Sequence, residues 1–155
     1  MLRVTLCVVG RQRGGPGHDL TSDWLERFGK TGRALGLGPA RLSEVEARGG
    51  PAAEGAELAR AIPEGAALCC LDERGRMLSS PDFAAALAGW RDAGRADAAF
   101  LIGGADGLDP ALRQRADLVL SFGPMVWPHL LVRAMLAEQL YRAAQILAGT
   151  PYHRA

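Results

Sequence analysis

The segment "DAAFLIGGADGLDPALRQRADLVLSFG" (97–123) decides the fold class of this 155-residue chain. Its first part, 97–104, is an apolar run ending in two glycines, which is typical of a buried strand. Asp109 and Pro110 then open a helical pattern, because Asp is a favoured N-cap and proline is favoured in the first helical turn. A second apolar run follows at 117–123. This order predicts a strand, a helix and another strand.

The same alternation continues through the rest of the chain. Further strand-like runs lie at 3–10, 40–46 and 66–72, and helical patterns lie at 19–36, 51–62, 80–94 and 129–148. Continuous apolar strands separated by helices predict an α/β fold, a mostly parallel sheet flanked by helices. The length is that of one domain and no linker interrupts the pattern, so we expect a single domain over 1–155. We expect the glycine-rich loop 10–19 to be mobile.

Composition excludes several classes of protein. No apolar run approaches the roughly 18–20 residues that a membrane span needs, and no signal-peptide cleavage site follows the first strand. The odd number of cysteines, three, predicts buried, reduced thiols in a cytoplasmic protein. The spacing of the three histidines predicts no metal site. The net charge is +1, so an RNA partner would need a local patch, built almost entirely from arginine because only one of the 18 basic residues is lysine.

The glycines at the strand ends give the first indication of function, because ligands of parallel sheets bind at the carboxyl ends of strands. The turn 102–109 lacks the G-x-G-x-x-G spacing of a dinucleotide site, and no Gly-Lys-Ser/Thr occurs, so we predict no phosphate cradle. The segment "SFGPMVWPH" (121–129) has enough apolar bulk to wrap a planar ligand, such as an adenine with an uncharged linkage. Two simpler explanations stay open: a tight glycine turn at 102–109 and a stiff core loop packed by Trp127.

Three segments carry a resemblance to a known family. "LDERGRMLSSPDFAAAL", "FLIGGADGLDPALRQRADLVLS" and "PHLLVRAMLAEQLYRAAQILAGTPYHR" closely resemble the RlmH family, from about residue 66 to the end. These are SPOUT-class methyltransferases that methylate N3 of a pseudouridine in 23S ribosomal RNA. The resemblance implies a C-terminal trefoil knot, a homodimer and S-adenosylmethionine as the methyl donor. The short length, with no appended RNA-binding domain, favours a substrate that supplies much of the docking surface, as an assembled ribosome would.

The resemblance also implies a donor pocket in this chain. Matching positions predict that it is lined by Leu71, Gly103, Gly104, Gly123, Pro124, Met125, Val126, Trp127 and Pro128. Three positions depart from the family pattern, which commonly has serine at 123, threonine at 126, and proline or glutamine at 130. The first two changes are tolerable if main-chain groups hold the donor, and they weaken affinity if a hydroxyl does.

The C-terminal tail supplies the groups that can hold RNA. Tyr152 can stack on a base, Arg154 can bind phosphate and His153 can exchange a hydrogen bond, and we predict His153 as the general base. Glu138 is the second candidate for the base. On the last helix, His129, Arg133 and Arg142 are the further predicted substrate contacts.

Each of these roles has a structural alternative. The pair Glu138–Arg142 has i,i+4 spacing and is more typical of a structural or interface ion pair than of catalysis. His129 can instead cap the helix, and Arg133 is equally explained as an interface residue. The helix 129–148 is more apolar than one small domain needs, which favours an isologous dimer contact in which each tail completes the partner's site.

Three other functions remain open at this point. The chain could be a SPOUT methyltransferase acting on tRNA, a non-catalytic RNA-binding module, or a structural α/β dimer. Binding of S-adenosylmethionine to the purified protein separates the enzymes from the two non-enzymes.

Overall fold

The computed structural model describes residues 1–154, in which five parallel strands form one sheet. The strands are β1 (Leu2–Val9), β2 (Leu37–Val45), β3 (Ala67–Arg76), β4 (Asp97–Ile102) and β5 (Leu118–Leu120), in the order β2-β1-β4-β3-β5. The helices are α1 (Pro16–Gly32), α2 (Pro51–Ala61), α3 (Ser80–Asp92), α4 (Pro110–Arg115) and α5 (His129–Ala148), with a short 3₁₀ turn at Arg33–Leu35. The predicted α/β class is confirmed.

Side-chain alternation along the buried strands creates two separate cores. On β1, Leu6 and Val8 point into a core shared with α1, α3 and α5, whereas Cys7 and Val9 point into a core shared with α2 and α4. Successive residues of a strand face opposite sides of the sheet, so this apolar strand is buried on both faces. The result is a three-layer arrangement. Because the strands are parallel, the loops that follow their carboxyl ends all lie on the same side of the sheet, here called the carboxyl edge.

The boundaries of several elements differ from the sequence-based expectation. Helix α1 begins at Pro16, so the loop expected to be mobile over 10–19 is shortened to 10–15. Strand β5 has only three residues, because Ser121 turns the chain. Its hydroxyl accepts a hydrogen bond from the Gly123 amide at 3.0 Å and donates to the carbonyl of Glu73, also at 3.0 Å. Strand β3 continues to Arg76, beyond the predicted end at residue 72.

The end of β3 and the chain after β5 are in close backbone contact. The Ser121 amide donates to the Arg76 carbonyl at 2.9 Å. A Cβ on Gly75 would lie 2.5 Å from the Val119 oxygen, so only glycine fits there. A C-terminal segment threaded past the β3–α3 connection would make contacts of this kind. The trefoil knot itself stays a prediction.

Two expectations from composition can be compared with the structure. All three cysteines are free and buried, as predicted, and burial raises the pKa of Cys7 and of Cys70 to about 12, so both thiols are protonated at neutral pH. None of the helices in residues 1–154 is both long and apolar enough to cross a membrane.

Candidate functional site

A cavity of about 350 Å³ opens at the carboxyl edge of the sheet. Its walls come from the end of β3, the turn after β4, the segment after β5 and the start of α5. The predicted donor residues that line it are Leu71, Gly103, Gly104, Gly123, Met125, Val126 and Trp127; Pro124 and Pro128 do not line it. The fold therefore brings together residues that are up to 56 positions apart in the sequence, between Leu71 and Trp127.

The glycines of the turn after β4 are needed for close packing. A Cβ on Gly103 would lie 2.6 Å from the carbonyl carbon of Gly107, and the Gly107 amide donates to the Gly104 carbonyl at 3.0 Å. The tight-turn explanation left open by the sequence therefore holds for Gly103. A Cβ on Gly104 would meet a Glu54 carboxylate oxygen at 3.0 Å and Val9 at 3.2 Å. Glu54 is a neighbour of the cavity wall that the sequence gave no reason to select.

The segment after β5 is exposed rather than packed in the core. Met125 is 70% exposed, Val126 is 82% exposed and Trp127 is 39% exposed. The Trp127 ring nitrogen donates to the Phe122 carbonyl at 3.4 Å, which folds the segment back over the cavity. The alternative of a stiff core loop is therefore wrong, and the apolar side chains remain available to a ligand or a partner.

His129 and Arg133 share a helix face, as their i,i+4 spacing predicted, but their environments differ. His129 lines the cavity. Burial lowers the pKa of His129, the Arg133 charge lowers it further and Glu54 opposes both, so the imidazole is neutral at physiological pH.

The prediction that Arg133 contacts the substrate is wrong. Its side chain is only 1% exposed. Nη1 donates to Glu44 at 3.0 Å, and Nη2 donates to the carbonyls of Val9 and Gly10 at 2.7 and 2.6 Å. Burial lowers the pKa of Arg133 and the Glu44 carboxylate opposes the change. A guanidinium enclosed in this way cannot reach a phosphate, so Arg133 ties α5 to the ends of β1 and β2.

An acidic residue that sequence reasoning did not single out lies on the cavity wall. Asp72 accepts hydrogen bonds from the Arg74 amide at 2.9 Å and from its guanidinium, and Arg113 lies 3.4 Å away. Burial would raise the pKa of Asp72, but the Arg74 hydrogen bonds and the two arginine charges outweigh it and lower the pKa. The only signal in the sequence was an acid directly after the buried part of a strand.

The C-terminal tail folds back onto its own subunit. The Tyr152 ring lies edge-on to Tyr141, with centroids 4.9 Å apart, and 6.4 Å from Trp24. The Arg142 guanidinium lies over the Tyr152 ring, 4.9 Å from its centroid. Arg154 is exposed. The contact between Trp24 of α1 and the tail was not predicted from the sequence.

The orientation of His153 is set by Arg142. The Arg142 Nη1 lies 3.1 Å from His153 Nδ1. Because a guanidinium can only donate, Nδ1 is the acceptor, and the proton of the neutral imidazole sits on Nε2. In this conformation His153 presents an N–H donor to its surroundings, which differs from the expected proton acceptor.

Glu138, the second candidate for the base, is held by the same arginine. Its carboxylate accepts from Arg142 Nε at 2.7 Å, so the i,i+4 ion pair predicted from the spacing is present. Glu138 also lines a second cavity, of about 530 Å³, that adjoins the first at Phe122 and Gly123.

The tail and the first cavity lie at opposite ends of α5. His129 and Arg142 are separated by 13 residues of this helix, which is about 20 Å at the α-helical rise. Tyr152, His153 and Arg154 line neither of the two cavities. One subunit therefore presents the two halves of the predicted site without joining them.

Comparison with known proteins identifies related sequences over the full length of the chain. A family model described as "Predicted SPOUT methyltransferase" matches residues 2–153. The ribosomal RNA large subunit methyltransferase H of Dinoroseobacter shibae is 68% identical over 155 residues, which is 99% of each chain. The protein of the same name from Paracoccus denitrificans is 64% identical with the same coverage.

A solved structure is similar in fold. The probable methyltransferase from Bordetella pertussis Tohama I aligns with a TM-score of 0.53 and 15% identity, over 91% of this chain and 95% of that one. At this identity the likeness concerns the fold alone.

Proposed function

We propose, from the premise that this chain belongs to the SPOUT methyltransferase family, that it transfers a methyl group from S-adenosylmethionine to N3 of a pseudouridine in large-subunit ribosomal RNA. Over its full length the chain is 61–68% identical to proteins named ribosomal RNA large subunit methyltransferase H. It is thus an rRNA methyltransferase. The observation that carries the finer proposal is the cavity, which contains the glycines and apolar residues matched to the donor pocket.

The cavity suits an uncharged nucleoside donor. Its volume of about 350 Å³ lies in the range of small-molecule sites, roughly 300–1,000 Å³. Leu71, Leu108 and Val126 offer apolar walls, and the turn glycines leave backbone groups accessible. The sequence has no phosphate-binding loop, which agrees with a donor that carries no phosphate. The donor, when bound, supplies an electrophilic methyl group on a sulfonium.

Methyl transfer to N3 forms an N–C bond, breaks an S–C bond and releases the N3 proton. A base must therefore accept that proton near the cavity. His129 is neutral and lines the cavity, and we propose it as the acceptor. His153, whose Nε2 carries its proton, would instead donate a hydrogen bond to a carbonyl oxygen of the target pseudouridine.

We further propose that the active site forms between two copies of the chain. The tail of one subunit would lie against the cavity of its partner, since within one subunit they are about 20 Å apart along α5. The exposed apolar side chains beside the cavity, Met125, Val126, Leu130 and Leu131, would be covered in such a homodimer. In the shared site Tyr152 and Arg154 would hold the RNA.

Because its proposed substrate is the ribosome, the enzyme would act in the cytoplasm. The proposal is tested with ribosomes from cells that lack this methylation. The purified protein is incubated with radiolabelled S-adenosylmethionine and either assembled ribosomes or free rRNA. We expect one methyl group per ribosome, found at N3 of a single pseudouridine by mass spectrometry, and faster transfer to assembled ribosomes. Methylation of another nucleotide, or of tRNA only, contradicts the proposed substrate.

A second experiment addresses the proton acceptor. Single-turnover rates across pH are compared for His129→Ala and His153→Ala. We expect His129→Ala to remove the pH dependence on the acid side, whereas His153→Ala lowers the rate without changing the profile. The reverse result would restore His153 as the base.

The two non-enzymatic alternatives make different predictions for donor binding. An RNA-binding module would bind RNA with an affinity unaffected by S-adenosylmethionine, and a structural dimer would bind neither. Isothermal titration of the purified protein with S-adenosylmethionine distinguishes these cases before any RNA is prepared.

A further inference from the structure

The tetrapeptide Arg-Gly-Gly-Pro occurs twice, at 13–16 and at 48–51. Each copy follows a strand and leads into a helix: the first links β1 to α1 and the second links β2 to α2. Strands β1 and β2 are parallel neighbours, with Val9 paired with Val45, so the two loops leave the sheet about 4.8 Å apart at the same edge. The repeat therefore places one arginine on each of two loops that leave the sheet as neighbours.

The two loops are also connected to each other. The Gln12 backbone N–H donates to the Glu44 carboxylate at 2.8 Å, and the Arg11 guanidinium lies 3.6 Å from the Glu46 carboxylate. The two acids at the end of β2 are thereby paired: Glu44 is bound by Arg133 and Glu46 by Arg11. These contacts hold the two loops together.

Arg13 and Arg48 are the arginines of the two loops without an ion-pair partner among residues 1–154, and the helices that follow carry Asp19 and Glu54 in their first turns. Both arginines are exposed. Their glycine neighbours leave the surface open: a Cβ on Gly15 or on Gly50 would meet no atom within 4 Å. A protein of net charge +1 attracts RNA weakly as a whole, so such a local pair matters more for binding.

The paired loops lie beside the cavity. Strand β1 is next to β4, with Val8 paired with Ile102, and β4 leads into the glycine turn that lines the cavity wall. Arg133 bonds to the carbonyls of Val9 and Gly10, so the start of the first loop is fixed to the helix that carries His129. Arg13 and Arg48 therefore lie along the same edge of the sheet as the reaction site.

We propose that the Arg13 and Arg48 loops bind backbone phosphates of the RNA strand whose base enters the cavity. This inference rests on the proposed function and adds a docking surface to it. Guanidinium groups bind phosphate oxygens bidentately, and the exposed, unpaired state of both arginines means that no internal ion pair has to break first. RNA is the occupant because its charge is complementary and its reacting base must reach the adjacent cavity.

The test compares two double variants with equal charge change. Arg13→Gln/Arg48→Gln alters the proposed surface. Arg33→Gln/Arg115→Gln removes two exposed arginines that lie just before β2 and β5, at the amino ends of the strands and thus away from the cavity. The KM for unmethylated ribosomes, kcat and the Kd for S-adenosylmethionine are measured for each at several salt concentrations.

We expect the affinity for ribosomes to depend less on salt in Arg13→Gln/Arg48→Gln, and to keep its salt dependence in Arg33→Gln/Arg115→Gln. Two phosphate contacts to a single strand contribute about 1.4 to the slope of log affinity against log salt, so between 50 and 200 mM salt the wild type should weaken about sevenfold more than the variant. In Arg13→Gln/Arg48→Gln the KM for ribosomes should rise at low salt relative to the wild type, whereas kcat and the Kd for S-adenosylmethionine should stay unchanged. Arg13→Lys/Arg48→Lys, which keeps the charges, should keep most of the slope.

Several results would overturn the inference. One is an unchanged KM and salt slope in Arg13→Gln/Arg48→Gln; another is an equal change in the control variant. A loss of ribosome binding with unchanged affinity for protein-free RNA would assign the surface to a ribosomal protein. If the wild type methylates no ribosome, the proposed function fails by itself, and anisotropy with a labelled single-stranded RNA still decides whether the two arginines bind phosphate.

Discussion

Two arginines on the same helix, Arg133 near the start of α5 and Arg142 near its end, are held in different ways. Arg133 is enclosed and bonds to Glu44 and to two backbone carbonyls at strand ends. Arg142 is a quarter exposed and bonds to Glu138, His153 and the Tyr152 ring. Both ends of the helix contribute to the core, but the start also borders the cavity and the end supports the tail.

This difference shows why a single chain is an incomplete enzyme in our proposal. The cavity needs a rigid frame, which buried contacts at the start of α5 provide. The tail needs an accessible surface, which the end of α5 provides. Helix α5 is about 30 Å long and keeps the two apart, so in our proposal a second copy of the chain brings tail and cavity together.

The largest expected effect comes from removing one half of the site at a time. A chain ending at Thr150 lacks the tail, and Ala105→Trp fills the cavity from an exposed position on its wall. Each homodimer should lose about 10³-fold or more in single-turnover rate, because positioning supplies much of the catalysis. Ala105→Trp is preferable to Gly104→Trp, whose Cβ would press on Glu54 and Val9.

Mixed dimers make the comparison decisive. A heterodimer of the two variants carries one intact cavity facing one intact tail, so its rate should return to about half that of the wild type if one of two sites works. Verified heterodimers with no rescue would show that each tail serves its own subunit.

The second effect concerns stability at the two ends of α5. Arg133→Met should lower the free energy of unfolding by about 3 kcal/mol, because it removes the ion-pair partner of Glu44 and the side-chain donor to two backbone carbonyls. Arg142→Met should cost about 1 kcal/mol or less, as is usual for partly exposed ion pairs. Urea denaturation of both variants measures the difference. Equal losses would mean that the two ends are held equally firmly.

A smaller effect is expected from the tail aromatic. Tyr152→Ala should raise the KM for ribosomes about tenfold, since stacking on one base contributes about 1–3 kcal/mol. Tyr152→Phe retains the ring and should remain near the wild type. The Kd for S-adenosylmethionine should be the same in all three proteins, and a weakened donor affinity would place Tyr152 at the cavity of its own subunit.

The smallest effect is a pH dependence of stability at the cavity end. The pKa of His129 is lowered in the folded state by burial and then by Arg133. The unfolded chain therefore binds the proton first as the pH falls below about 6.5, and the folded state loses stability between that value and the lower folded pKa. His129→Asn should flatten the unfolding free energy over this acid range. An unchanged slope would mean that His129 is not desolvated.

Part of the site was predictable from particular residues. The glycine turn after β4 and the apolar segment 121–129 were singled out because a strand run followed by glycines or prolines is a local pattern. The individual donor residues in them were implied by the resemblance to the RlmH family, and Gly103, Gly104, Gly123, Met125, Val126 and Trp127 line the cavity. The Glu138–Arg142 pair was found because i,i+4 spacing fixes neighbours on a helix. Arg133 was misassigned for the same reason: spacing places it beside His129 but does not reveal that β1 and β2 end directly against it.

Other residues gave no local signal. Glu54 approaches Gly104 only because α2 packs against β1 and β2, and Trp24 meets Tyr152 only because α1 lies along α5. The orientation of the His153 imidazole depends on one contact with Arg142. Contacts between distant segments depend on the packing of whole elements, and no short sequence pattern encodes that packing.

By itself, the sequence determined the α/β class, the two-sided burial of the sheet and the helix carrying the tail, because these follow from the periodicity of apolar residues and from helix-starting prolines. Only the tertiary structure decided that Arg133 is internal, that the tail lies away from its own cavity and that the two Arg-Gly-Gly-Pro loops are adjacent. The physical reason is that hydrophobic periodicity acts over a few residues, whereas burial, ion pairing and the position of a strand end depend on which elements become neighbours in the folded chain.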